Sequence, residues 1–368
     1  MVAIYICLFC NLIFSTNALR MKQTWLGILL LVVLACKNQQ VNQPPVATFQ
    51  SISGQTMGTY YKVSYQHPTA KPLQPDIETL LKEINLGVNT YDKNASISQF
   101  NQSTTAWRLD TSAYGKHFFR NLVAAKAIHQ ATDGNFDPTV MPLVNYWGFG
   151  YTPKQAVTKV DSFKVDSLRQ LVGFNKITID STKKMPILRK EQIAAQIDFS
   201  ALAKGYGVDE VALLLEKEGV QNYLVDIGGE ARAKGVNKRN VTWRLGINTP
   251  NTNAAITDYV AIIALNNRSM ATSGNYRNFY EVDGKKYAHT LNPKTGYPEL
   301  NNLLSTTVLA KDCMVADGFA TAFMTMGLEQ AYQTAATLPG IEAYFLYAQN
   351  DGTVGVKYTD GVKEFLVE

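Results

Sequence analysis

The chain has 368 residues, 46% of them hydrophobic and 18% charged, with 25 Gly and 13 Pro. This composition excludes collagen-like, coiled-coil and disordered classes and suits a globular protein of one large domain or two modest ones. Thirty-five Lys and Arg against 30 Asp and Glu leave a net charge of +5, too weak an excess at this length for a nucleic-acid-binding stripe.

Residues 1–35 read as an export signal. Apolar runs from Val2 to Phe14 and from Trp25 to Ala35 are separated by Arg20 and Lys22. Each is well short of the roughly 20 residues that span a membrane as a helix. Met21-Lys22 and the run after it form a complete secretory signal alone, so Met1 to Arg20 reads as an over-extended start. That run ends Val33-Leu34-Ala35-Cys36, which resembles a bacterial lipobox with Cys36 as the residue to be lipidated. An uncleaved anchor with an incidental Cys is the alternative. Residues 36–48 include KNQQVNQPP (Lys37 to Pro45) and suit a flexible tether, leaving 49–368 as a single domain. Cys7, Cys10 and Cys36 belong to the leader, so the domain keeps Cys313 alone, which excludes an internal disulfide. Set among apolar residues with no basic neighbour, Cys313 reads as a buried small hydrophobe, not a nucleophile.

Along the domain, β-rich composition predicts a strand at Thr59–Tyr65, and apolar periodicity predicts helices at Asp76–Gly87 and Ser112–Ala131. A third helix is expected over Val208–Glu218, followed by strands at Tyr223–Ile227, Glu230–Lys234, Trp243–Ile247, Val260–Leu265, Asn278–Val282 and Ser305–Ala310. Asp312 is placed to cap a helix running to Met326, and two strands around Asp351-Gly352 close the chain. The pattern is α+β, without the βαβ rhythm of a doubly wound sheet.

Four segments carry chemistry as well as fold. Asp133 to Gly150 (DGNFDPTVMPLVNYWGFG) crowds Gly, Pro and aromatics around Asp137. It is too irregular for a strand or helix and reads either as a pocket-lining loop or as a rigid structural one. Asp198 to Asp209 (DFSALAKGYGVD) precedes a helix N-terminus, where unpaired N–H groups and Lys204 suit a phosphate and Gly205 and Gly207 allow close approach. A plain N-cap by Asp198 or Ser200 is the alternative. Asp317 and Thr321 lie four apart on an apolar helix, so both oxygens leave one face and suit a hard cation such as Mg²⁺. Local hydrogen bonding by both is the alternative. His289 follows a strand and precedes the turn-forming Asn292-Pro293 and Thr295-Gly296, a setting for proton transfer or for a structural His.

Seven segments in order resemble one family: GQTMGTYYKVSY (Gly54 to Tyr65), YDKNASISQFN (Tyr91 to Asn101), GNFDPTVMPLVNYWGFG, DFSALAKGYGVD, YLVDIGGEARAKG (Tyr223 to Gly235), TSGNYRNFYEVDGKKYAHTLNPKTGYP (Thr272 to Pro298) and DCMVADGFATAFMTMG. Together they are similar to the ApbE family, the FAD:protein FMN transferases, over Gly54 to Gly327. The resemblance implies an α+β domain related to the tunnelling fold (T-fold), with FAD and metal between two lobes. It implies cleavage of FAD with Mg²⁺, transfer of FMN to a Ser or Thr hydroxyl of a partner protein, and release of AMP.

Matched position by position, the family's metal ligands fall on Asp317, Thr321 and the backbone of Ala201. Its FAD contacts fall on Met57, Tyr91, Asn135, Phe136, Asp137, Asp198, Lys204 and Leu291, and its general base on His289. The acceptor so implied is an exported or membrane redox protein with a Ser/Thr flavinylation motif, such as a subunit of a sodium-pumping quinone reductase. A lipoprotein anchored through Cys36 on the periplasmic side of a bacterial envelope fits the same family. Ala320 stands where some members carry a second acidic residue, and Ala201 where some carry Thr. Two other functions remain open: an FAD pyrophosphatase yielding FMN and AMP, and a non-catalytic flavin-binding lipoprotein. Storage alone needs neither a metal nor a base, so Asp317, Thr321 and His289 argue against the last.

Overall fold

The computed structural model describes residues 47–367, apart from 105, 153–156, 158, 181, 183–184, 251–257, 276–278 and 283–284. The export signal, Cys36, the tether up to residue 46 and the expected first strand residue Asn278 lie outside the described residues. Among the described residues no helix is long and apolar enough to cross a membrane.

The domain opens with a hairpin of β1 (Phe49–Thr56) and β2 (Thr59–Gln66). Its turn residues Met57 and Gly58 sit at φ 49° and 73°, the left-handed pair that a two-residue turn between twisted strands requires. Next come α1 (Gln74–Val88), α2 (Ser96–Gln102), β3 (Trp107–Arg108) and α3 (Ala113–Ala131), whose first turn donates from Gly115 N–H to Ser112 Oγ. Then α4 (Met141–Tyr146), α5 (Ser162–Arg169), β4 (Ile177–Asp180), β5 (Ile187–Lys190) and α6 (Ala203–Lys217) lead to the centre of the fold. Strands β6 (Asn222–Ile227), β7 (Glu230–Lys234), β8 (Trp243–Asn248), β9 (Tyr259–Leu265), β10 (Arg268–Gly274), β11 (Phe279–Val282), β12 (Lys285–Ala288) and β13 (Leu303–Ala310) follow. Helices α7 (Cys313–Met326) and α8 (Leu328–Thr337) precede β14 (Glu342–Ala348) and β15 (Val354–Tyr358).

Eight strands form one antiparallel sheet in the order β1-β2-β6-β7-β10-β13-β14-β15. Period-two alternation decides what covers each face. Tyr223, Val225 and Ile227 of β6 pack with Ile77 and Leu81 of α1 and Val211 and Leu215 of α6. Phe345 of β14 and Val308 of β13 meet α7 at Ala316, Phe319 and Phe323. The intervening residues Leu309, Tyr344 and Leu346 point the other way, against Trp243 and Ile247 of β8 and Ile263 of β9. Both faces of the sheet are therefore covered, by helices on one side and by the β8–β9 pair on the other.

Two expectations change here. The segment around Asp137 contains a short helix, α4, because Pro142 falls in its first turn, where no N–H is needed. The helix expected from Val208 starts five residues earlier, at Ala203, so Lys204, Gly205 and Gly207 are helical. The glycines serve packing, not ligand approach: a Cβ at 205 would collide with the Cys313 carbonyl, and one at 207 would lie 2.9 Å from Met57 Cε.

That close approach lets α6 and α7 cap each other. Asp209 of α6 accepts from the N–H groups of Cys313 (2.9 Å) and Met314 (2.9 Å) at the start of α7. Asp317 of α7 accepts from Gly205 N–H (3.1 Å) at the start of α6. Each carboxylate takes orphan donors from the positive end of the other helix. Asp312 occupies the N-cap position of α7 but makes no side-chain cap, because Asp209 already holds those donors; Asp312 turns instead toward Arg232 (3.4 Å), which also pairs with Asp209 (2.9 Å). Burial pushes the Asp209 and Asp317 carboxyls up, against the N–H bonds and the neighbouring cations. Cys313 is free and fully buried, and burial raises its thiol well above the usual range, as its sequence setting predicts.

Gly205→Ala is expected to cost ~1–3 kcal/mol by overpacking the α6–α7 contact, read from urea unfolding; an unchanged midpoint would show that the two backbones are not in enforced contact. A pH effect comes from His117 of α3, buried with Nδ1 2.6 Å from the Tyr206 hydroxyl. Burial, with Arg120 and Lys116 nearby, lowers His117 to about 4. The unfolded chain, near 6.5, takes up the proton first, so stability present above pH 6.5 is lost as pH falls toward 4, by about 3 kcal/mol at most. His117→Gln should flatten that limb in denaturation series at pH 4.5 and 7; an equal slope in both proteins would contradict the assignment.

Candidate functional site

Two adjoining cavities gather every site residue predicted within the described domain. The first, of about 380 Å³, is lined by the matched metal positions Ala201, Asp317 and Thr321, and by His289 and Leu291. Asn135, Phe136 and Asp137 form another wall. The second, of about 620 Å³, holds Met57 and Tyr91. Asp198, Ser200 and Lys204 line both, so the two read as one elongated cleft with Lys204 at its waist. The lipidation residue Cys36 lies outside the described residues.

Rigid elements deliver most of these groups. Asp317 is 2% exposed on α7, and its Oδ2 is committed to Gly205 N–H, leaving Oδ1 to face Lys204 at 3.9 Å. Thr321, one turn later, meets Ser273 of β10 through their hydroxyls (3.1 Å). Thr325 lines the same cavity and donates to the Asn135 carbonyl (2.8 Å), tying the Asp133–Gly150 segment to α7. His289 directly follows β12 and faces Phe149 edge-on at 6.4 Å. Its loop is held by Asn292 Oδ1, which accepts from Lys294 and Thr295 N–H, and by Trp147 Nε1–H, which donates to the Gly296 carbonyl.

Several expected ligand contacts also brace the wall they belong to. The Asn135 side chain donates to the Thr132 carbonyl (2.8 Å). Asp137 accepts from Thr139 N–H (2.8 Å) and Phe174 N–H (3.1 Å), which fixes the loop and leaves little of the carboxylate uncommitted. Asp198 accepts from Ser200 N–H and Oγ–H, while its own N–H donates to the Pro138 carbonyl (2.7 Å). Burial raises the Asp198 carboxyl, with the Ser200 bonds and Lys204 opposing it. Tyr91 is 69% exposed and packs edge-on with Tyr151, an aromatic surface at the mouth of the second cavity.

Sequence reading missed Glu230, the first residue of β7, which is 4% exposed and lies 3.2 Å from Lys204 Nζ through Oε1. Burial raises its carboxyl to about 8, Lys204 opposing and Asp317 adding to the rise. Lys204 is held above the usual lysine range: burial lowers it, but Asp317 and Glu230 outweigh that. A lone acid opening a strand after Gly228-Gly229 was the available signal for Glu230. For Thr325 it was the four-residue spacing of Asp317 and Thr321 carried one turn further.

Charge decides what the cleft can hold. The first cavity presents the carboxylates of Asp137, Asp198, Glu230 and Asp317 against one ammonium, that of Lys204. That ammonium is already paired with Glu230 and Asp317, so an anionic diphosphate gains little from Lys204 alone, and a divalent cation would supply further positive charge. Among the described residues no three His, Cys, Asp or Glu side chains cluster as a metal site. Asp317, Thr321 and Ala201, which line this cavity, offer a carboxylate, a hydroxyl and a carbonyl, hard oxygen donors whose chemistry suits Mg²⁺ rather than zinc.

Comparison with known proteins gives the family. The profile of the ApbE family matches residues 57–345. The FAD:protein FMN transferase of Haemophilus influenzae is 39% identical over 311 residues, 83% of this chain and 88% of that protein. The protein of the same name from Vibrio cholerae is 39% identical over 288 residues, 77% of this chain and 83% of its own. Among solved structures, the flavin transferase ApbE from Vibrio cholerae superposes with a TM-score of 0.77 at 36% identity, covering 87% of this chain and 100% of that one. The apo flavinyl transferase ApbE from Pseudomonas stutzeri gives 0.75 at 30% identity, over 86% and 96%.

Proposed function

The chain belongs to the ApbE family, and on that premise we propose that it transfers FMN from FAD to a Ser or Thr hydroxyl of a partner protein, with Mg²⁺ in the first cavity and AMP as the leaving group. The observation that carries this reading is that Asp317, Thr321 and Ala201 line one cavity in which four carboxyl groups surround a single ammonium, that of Lys204. A site for diphosphate cleavage built this way needs a divalent cation to make the anion welcome.

Asp317 Oδ1, the Thr321 hydroxyl and the Ala201 carbonyl would hold the cation, whose chemistry is to neutralise charge on the diphosphate oxygens and on the departing AMP. Lys204, shared by both cavities, meets the diphosphate at the waist of the cleft, so that one end of FAD extends toward Met57 and Tyr91 and the other toward Phe136 and Leu291. His289 takes the proton of the acceptor hydroxyl as its oxygen bonds to the FMN phosphorus and the bond from that phosphorus to the AMP oxygen breaks. The braced Asp133–Gly150 and His289–Pro298 segments hold the reacting groups in register, and in phosphoryl transfer positioning and charge neutralisation supply most of the rate. The lipobox-like Val33-Leu34-Ala35-Cys36 supports export and anchoring through lipidated Cys36, and the family resemblance implies an exported or membrane redox protein as the acceptor.

His289→Ala should leave FAD binding intact and slow FMN attachment by roughly 10²- to 10⁴-fold, followed by flavin fluorescence and by the intact mass of a motif-bearing acceptor; attachment at the wild-type rate would remove His289 from the mechanism. Asp317→Asn keeps an acceptor for Gly205 N–H but not the charge. Its transfer should lose the response to Mg²⁺, and a wild-type Mg²⁺ titration curve would show that Asp317 is not a ligand.

A further inference from the structure

We propose that Glu230 is a positioning residue of the cleft, which holds the Lys204 ammonium off Asp317 and so keeps the Asp317 carboxylate available to the divalent cation. This rests on the reading of Asp317 as a cation ligand given above.

Lys204 Nζ lies 3.2 Å from Glu230 Oε1 and 3.9 Å from Asp317 Oδ1. One ammonium is thus shared by two buried carboxylates, and it leans toward Glu230. The three groups come from three fixed places. Lys204 is in the first turn of α6, which is tied to α7 by Gly205 N–H. Asp317 is on α7 itself, and Glu230 opens β7, where it pairs with Ile227 across the Gly228-Gly229 turn. Both turn glycines have positive φ, 63° and 105°, conformations that hold the turn tight and fix where β7 begins.

Glu230 Oε2 is buried, lines the cavity and has no hydrogen-bond partner. A buried carboxylate oxygen left open is costly, and the close side-chain partner that Glu230 has among the described residues is Lys204. What Glu230 does have is the ammonium. Take that carboxylate away, and Asp317 is the described carboxylate left within 4 Å of Lys204, with Asp198 farther off, so the lysine becomes an internal cation competing for the divalent site. With Glu230 present, a divalent cation arriving at Asp317 leaves Lys204 still paired and still at the waist of the cleft, where the diphosphate passes.

The test is Mn²⁺ affinity of the FAD-free protein, read from the electron paramagnetic resonance signal of free Mn²⁺. Asp317→Asn is measured first: a wild-type affinity there would refute the cation assignment itself. With that loss in hand, Glu230→Gln should weaken Mn²⁺ about tenfold, or about 1.4 kcal/mol. In a Lys204→Met background the same substitution should change the affinity less than twofold, because there is no ammonium left to restrain. Lys204→Gln is the second background should Lys204→Met not fold, as judged by near-ultraviolet circular dichroism. An equal loss in both backgrounds would mean that Glu230 acts on the cation directly by its charge, and no loss with Glu230→Gln alone would mean that it only supports the fold. Either result overturns the proposal while leaving the Asp317 assignment standing.

Discussion

Asp209 and Asp317 are carboxylates that burial makes costly unless they find donors, and they find them in each other's helices. Asp209 accepts the first N–H groups of α7, and Asp317 accepts an N–H from the first turn of α6. The arrangement fixes two helix termini against one another with almost no freedom to slide, and it requires glycine at 205. Everything at the cleft depends on it. Lys204 and Ala201 are set by the start of α6; Thr321 and Thr325 are set by the turns of α7; and Thr325 in turn anchors the segment carrying Asn135 and Asp137.

The same crossing explains the electrostatics. Asp317 spends one oxygen on structure and keeps the other for the cleft, so a single residue serves the fold and the site at once. Asp209 spends both of its oxygens on structure and is neutralised by Arg232. The two acids are near-equivalents in the capping geometry and differ in their cationic neighbours: a guanidinium held in the sheet for Asp209, a lysine at the edge of an open cavity for Asp317. That difference separates a wholly structural carboxylate from one that keeps an oxygen turned to the cavity beside Lys204.

Much of this was legible in the sequence. The strand at Tyr223–Ile227 and the helices over 76–87 and 112–131 follow from period and caps, and His289 at a strand end with a rigid turn beyond it needs only local signals. What could not be read depends on partners distant along the chain. Gly205 and Gly207 look like loop glycines because the backbone that demands them at 205 belongs to Cys313 and the side chain at 207 to Met57. Asp312 fits the local rule for an N-cap, yet Asp209, more than a hundred residues earlier, holds the donors. Glu230 lay within the segment YLVDIGGEARAKG, but its local setting did not name its partners, which are Lys204 and, through it, Asp317 on two other elements. Asn135 and Asp137 could be placed at a pocket by resemblance, but their commitments to Thr132, Thr139 and Phe174 appear only in three dimensions.

The most direct measurement counts products. The protein is incubated with FAD, Mg²⁺ and an acceptor domain bearing a flavinylation motif, and AMP released is compared with FMN covalently held, read from the acceptor's intact mass. Transfer through this cleft requires equal amounts of the two, both abolished by chelating the metal. AMP accumulating with free FMN while the acceptor mass stays unchanged would make the protein a hydrolase, and FAD bound without any cleavage would contradict a catalytic cleft altogether.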